Sequence, residues 1–187
     1  VTEGVKASDL VGVASVTIAV NSLIVDSQWS SLGFALLFTI LALGLVFRDL
    51  RFALLTTVPV GFTVAMQWLA MDSLGVPLSL VTVMVGSILV GVGIDFSIHI
   101  ANRVKDQGGT IEAVRVACAS TGMSLFEAVT VTAFGLFSAY LIPIQAIKPF
   151  VTVVIILLVV AALSALLLLP AVFSLLIKSN VSLTGGV

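Results

Sequence analysis

Long apolar runs alternate along this chain with short joints that carry most of its charge. A helix crossing the ~30 Å hydrocarbon core of a bilayer needs about 20 apolar residues. Five runs meet that demand, over residues 30–47, 52–70, 78–101, 123–142 and 150–170. Trp29 suits the interface at the start of the first, which ends at Arg48-Asp49-Leu50-Arg51. The second contains Pro59, which removes a backbone hydrogen bond and predicts a kink; neighbouring helices or hydroxyls such as those of Thr56 and Thr57 are expected to re-satisfy the freed groups. The third follows Asp72-Ser73-Leu74-Gly75-Val76-Pro77, with Gly suited to a helix end and Pro to the first turn of the next helix. The fifth opens after Pro149, and Pro170 is expected to bend or end it.

Two stretches stand apart from these spans. Residues 10–25 are apolar but short, rich in Val, Ile and Thr and interrupted by Asn21, and they fit a helix outside the membrane better than a sixth span. Residues 102–109 read as a loop. Thr110 then reads as the N-cap of an amphipathic helix over 110–120, lying on the membrane surface with Ile111, Val114 and Cys118 on one face. No internal repeat is visible.

Composition narrows the class to an all-α membrane protein: 60% of residues are hydrophobic and 9% charged, against roughly 45–50% and 25% in soluble domains. The net charge of −1 and the lack of a basic cluster leave no electrostatic footprint for nucleic acid. Cys118 is the only cysteine, so no internal disulfide forms, and a lone thiol in a helix fills space. No motif asks for a metal or a cofactor. If the helices alternate in direction, Arg48, Arg51, Arg103, Lys105, Arg115 and Lys178 share one side, with Lys6 and Lys148 on the other. Short loops rich in Lys and Arg stay cytoplasmic, which places the N-terminal segment outside and the C-terminus in the cytoplasm.

The residue that breaks the pattern is Asp95, in Leu89-Val90-Gly91-Val92-Gly93-Ile94-Asp95-Phe96-Ser97-Ile98-His99. With Arg103 at the interface, a rise of 1.5 Å per residue sets Asp95 about 12 Å deep, close to the midplane. An Asp there costs roughly 2.5–3.5 kcal/mol on insertion scales, so it is expected to face a protein interior or a water-filled path. His99 lies one turn away on the same face and either points to the interface or extends a relay. Glu127 falls near the start of the fourth span, at a similar depth; snorkelling to the headgroups fits it better than pairing with His99. Gly86, Ser87, Gly91 and Gly93 suit close helix packing, for which membrane helices use small residues.

Taken together, these stretches resemble the RND (resistance-nodulation-division) superfamily, and within it the MMPL-type and archaeal predicted-exporter branch related to the sterol-sensing domain of Patched-like proteins. Gly75-Val76-Pro77-Leu78, followed by Gly91 to His99 and Arg103 to Lys105, is similar to the fourth helix of an RND unit. Ser27-Gln28-Trp29-Ser30-Ser31-Leu32 and Phe47-Arg48-Asp49-Leu50-Arg51 resemble the two ends of its second helix. Val131-Thr132-Ala133-Phe134-Gly135-Leu136 with Ile142-Pro143-Ile144-Gln145 resembles the fifth helix and its outer loop, and Leu167-Leu168-Leu169-Pro170-Ala171 the end of the sixth. The likeness covers about residues 27–177.

The resemblance implies helices two to six of one six-helix unit, with residues 1–26 as the tail of an extracytoplasmic porter domain, 27–178 as the membrane domain and 179–187 as a C-terminal tail. The first helix, most of the porter domain and a second six-helix unit would be supplied from outside this chain. It also implies that Asp95 is a proton-relay acid, since a carboxyl taken out of water holds its proton more readily. Many relatives follow that acid with Tyr; Phe96 stands here instead, which removes a hydroxyl and leaves His99 as the substitute. The function so implied is a proton-driven exporter of lipids or other hydrophobic molecules in a prokaryotic cell membrane, a secondary transporter rather than an enzyme. A non-transporting sterol- or lipid-sensing domain and a protein-export accessory are the alternatives. An intramembrane aspartyl protease is disfavoured: Ile94 separates Gly93 from Asp95, and no second Asp lies within a span to share a proton.

Overall fold

The computed structural model describes residues 3–76, 80–145 and 147–178. The expected start of the third span at residue 78 and the tail 179–187 lie outside them. Among the described residues all regular structure is helical: α1 Glu3–Phe47, α2 Leu50–Ser73, α3 Leu80–Asp106, α4 Ile111–Phe137 and α5 Ile147–Lys178, with a 3-10 turn Ser138–Leu141 after α4. Five segments are long and apolar enough to cross a membrane: Asp26–Phe47, Leu50–Ser73, Met84–Asp106, Ile111–Leu141 and Ile147–Lys178.

The helices are longer than the hydropathy pattern alone predicts. The 45 residues of α1 form one continuous helix, about 67 Å long against a ~30 Å core. Residues 10–25 are therefore the same helix as the span and not a separate element. The expected loop at 102–109 shrinks, because α3 continues to Asp106 and only a tight turn remains. Gly108 and Gly109 make that turn with φ of 84° and 66°, a left-handed backbone that glycine adopts without strain. Thr110 does cap the next helix, its side chain accepting from the Ala113 amide at 3.1 Å. That helix, however, does not stop at 120. The expected surface helix and the fourth span are one element, α4, whose buried positions Ala113, Val114, Ala117, Thr121, Leu125 and Val129 share one face. Ile111 is exposed instead of sharing the face of Val114. Pro170 does not end α5, which runs on to Lys178.

Packing follows from which helices touch. α5, the most apolar span, lies against α2, α3 and α4; α3 touches all four other helices, while α1 and α4 do not meet. The α2, α3 and α5 trio thus forms the centre, with α1 and α4 on opposite flanks of α3. The α2–α5 contact is polar at Pro59: its carbonyl accepts from Thr63 Oγ1 at 2.9 Å and from Ser164 Oγ at 3.2 Å. Thr56 and Thr57 donate to the carbonyls of Phe52 and Ala53. They do not reach the Leu55 carbonyl that Pro59 leaves without its helical donor, so the expected repair by these two hydroxyls does not occur.

Basic residues and caps gather at one end of the bundle, called here the basic end. Arg48 takes φ 54° after α1, the left-handed position that closes many helices. Asp49 caps α2 by accepting from the amides of Arg51 and Phe52. Lys105 Nζ, reaching from α3, donates to the Phe47 carbonyl at 2.7 Å and lies over the Phe47 ring. Phe47, Phe52 and Phe173 pack ring to ring beside it. Near the opposite end, Trp29 stacks on Trp68 with ring centroids 5.6 Å apart. Outward faces of α1 and α4 carry Phe34, Phe38, Leu45, Phe126, Val131 and Phe134, which is what a lipid solvent requires.

Candidate functional site

Among the described residues, one face of α3 is not covered by another helix. Asp95 stands midway along Met84–Asp106, the segment of α3 able to cross a membrane, and it is exposed, as are Gly91, His99, Asn102, Arg103 and Asp106. Their spacing by three, four and seven residues puts them on one stripe of the helix. The opposite side of α3 is packed: Phe96, Ile100, Ala101 and Val104 belong to the main core, and Ser97 Oγ, fully buried, donates to the Gly93 carbonyl at 3.2 Å.

The exposed stripe forms one wall of a cleft of about 560 Å³ between α3 and α4. From α3 it is lined by Asp95, Phe96, His99, Asn102, Arg103 and Asp106, and from α4 by Ser120, Thr121, Ser124, Leu125 and Ala128. The cleft therefore leads from a mid-span carboxylate, past an imidazole and a guanidinium, to the basic end. Among the described residues no side chain hydrogen-bonds to or ion-pairs with Asp95, His99 or Glu127.

The structure sorts the residues expected from sequence. Asp95, His99 and Phe96 come together in the cleft; Phe96 is 7% exposed and sits in the core with its edge at the cleft. Glu127 is exposed but is not part of the lining. Among the described residues it makes no ion pair with His99, so that pairing is not formed. The three glycines also divide. A methyl group at Gly86 would sit 2.7 Å from Leu32 Cδ2 and 2.9 Å from Gln67 Oε1, so it would fit only if the ends of those two buried side chains shift. At Gly93 the nearest atoms, on Val60 and Ala161, are 3.6 and 3.9 Å away. Gly91 has nothing within 4 Å, and its expected packing role is not met within this chain.

Sequence reasoning missed Asn102, Asp106, Ser120, Thr121 and Ser124. Extending the period of Asp95 and His99 past residue 101 would have found the first two. The α4 hydroxyls were hidden by assigning 110–120 to a surface helix.

No family model matches the chain, and no solved structure matches it. A curated protein of Methanocaldococcus jannaschii described as "Putative membrane protein MJ1562" is 27% identical over 128 residues, covering 66% of this chain. The chain spans about a third of the length of that relative. With five apolar helices of spanning length, the chain is an integral membrane protein.

Proposed function

We propose that this chain is the transmembrane half of a proton-driven exporter of the RND type, moving lipids or other hydrophobic molecules, with Asp95 as the carboxylate that binds and releases the proton. The observation that carries this reading is an unpaired carboxylate midway along an apolar span, opening on a polar cleft that leads to the basic end. A carboxylate facing hydrocarbon at that depth costs about 2.5–3.5 kcal/mol, so such groups serve ion or proton paths and are covered by protein. In this reading a second six-helix unit, in the same polypeptide or another subunit, covers the Gly91 and Asp95 face. The positive-inside bias makes the basic end cytoplasmic, and the cleft is then the path by which the proton is released to that side. Protonation removes a charge from the face between the two units, and each charge state favours a different packing of that face.

Asp95→Asn tests the proton and little else, because Asn keeps the shape and hydrogen-bonding capacity of Asp without titrating. Export by the full-length protein against an imposed pH gradient is expected to fall to background while surface expression persists. Gradient-dependent export at the wild-type level would overturn the relay assignment and favour a lipid-sensing or structural role.

A further inference from the structure

We propose that the groove between the end of α1 and the start of α2 binds an anionic phospholipid, its phosphate held by Arg48 and an acyl chain lying along α1. The groove, of about 470 Å³, is lined by Leu41, Gly44, Leu45, Arg48 and Leu50. It shares no residue with the Asp95 cleft, and the proposal stands apart from the proton-relay reading. Along α1 the exposed residues Phe34, Phe38, Leu41, Leu45 and Arg48 follow one another at steps of four, three, four and three. That spacing keeps them on one face of the helix, a strip about 21 Å long that is apolar up to Arg48. Arg48 directly follows the span Asp26–Phe47, which sets its guanidinium at the depth of lipid headgroups. Within the groove, a methyl group added at Gly44 would meet Leu50 Cδ1 at 3.4 Å. A larger side chain there would fill the space that the acyl chain takes.

Charge at this corner favours an anion. Arg48, Arg51 and Lys105 stand against a single carboxylate, Asp49. That carboxylate is engaged as the α2 cap, accepting from the amides of Arg51 and Phe52, and Lys105 Nζ is turned to the Phe47 carbonyl. The Arg48 guanidinium has no hydrogen bond or ion pair among the described residues. A planar guanidinium binds phosphate through two parallel hydrogen bonds. A zwitterionic lipid would bring a cation of its own into the same positive field, so the anionic lipid is preferred. The backbone points the same way. Arg48 takes φ 54°, where glycine is the usual residue after a helix and any other side chain is strained. No contact of the Arg48 side chain within the described residues offsets that strain; a bound phosphate does.

The experiment titrates the delipidated full-length protein in detergent with dioleoylphosphatidylglycerol or dioleoylphosphatidylcholine and follows bound lipid by native mass spectrometry. We expect one strongly held phosphatidylglycerol that phosphatidylcholine does not replace. Arg48→Gln should weaken that binding about tenfold, the scale of a lost charge-assisted hydrogen bond. Gly44→Leu, which fills the groove and keeps the charge, should weaken it as well. Lys178→Gln removes another basic residue, at the end of α5 and outside the groove, and should leave it unchanged. Arg48→Gly separates binding from folding. It should lose the lipid as Arg48→Gln does, yet keep a thermal midpoint at or above wild type, because glycine takes a positive φ without strain. Equal weakening by Arg48→Gln and Lys178→Gln would reduce the effect to general charge attraction and overturn the site. Equal retention of phosphatidylcholine, or wild-type retention in Gly44→Leu, would overturn it too. A lowered midpoint in Arg48→Gly would make Arg48 a structural residue and count equally against the proposal.

Discussion

The two faces of α3 are built from the same kinds of residue and used in opposite ways. On the packed face Gly86 is held against Leu32 and Gln67, and Ser97 is buried with its hydroxyl bonded to the Gly93 carbonyl. On the open face a methyl group added at Gly91 would meet nothing within 4 Å, and Asp95 and His99 have no partner among the described residues. Small residues on the first face let helices approach; on the second they leave room. Polar groups on the first face meet their hydrogen-bonding needs internally, which stabilises one arrangement. Those on the second do not, which leaves their protonation and packing free to change.

The strongest way to break this division is at Asp95. If stability resides on one face and function on the other, Asp95→Asn should abolish gradient-driven export while the thermal midpoint in detergent stays at or above wild type. A variant that unfolds would move Asp95 to the structural side. The reverse effect is expected at Gly86, where Gly86→Ala should destabilise by about 1–3 kcal/mol, the usual penalty for overpacking. Gly91→Ala should stay within about 0.5 kcal/mol, as for open surface positions. Equal midpoint shifts from the two alanines would erase the contrast between the faces.

Two further substitutions sharpen the comparison. His99→Ala, within the cleft, should shift the pH dependence of export while leaving a few-fold reduced flux, the scale of one weak hydrogen bond. Glu127→Gln, outside the cleft, should leave both pH profile and flux unchanged; a profile shift in that variant would place Glu127 on the proton path after all. At the basic end the expected effect is on stability alone. Asp49→Ala should cost about 1 kcal/mol of stability through the lost α2 cap and should leave the pH dependence of export alone. An altered pH profile there would tie the cap to the cleft.

How much of this was legible beforehand varies with the kind of force involved. All five spans were visible in hydropathy because lipid selects apolar side chains along the whole of a helix, whichever neighbours it has. Helix ends were not. Asn102 to Asp106 read as a loop because they are polar, yet they continue α3, because Val104 packs in the core while Asn102, Arg103 and Asp106 line the cleft. The Pro170 and Thr110 cases divide in the same way. Thr110 acts through amides three residues away and was readable, whereas the effect of Pro170 depends on packing around α5.

Asp95 itself was determined by sequence: a charge in an apolar run is costly at any position in a bilayer, so its presence there marked the site before any contact was known. The proximity of Ser120, Thr121 and Ser124 to it was decided only by tertiary structure. So were the exclusion of Glu127 and the different fates of Gly86 and Gly91. Each depends on how α4 and α2 are rotated against α3, and a quarter turn of a helix moves a side chain from one environment to another without changing its composition or hydropathy.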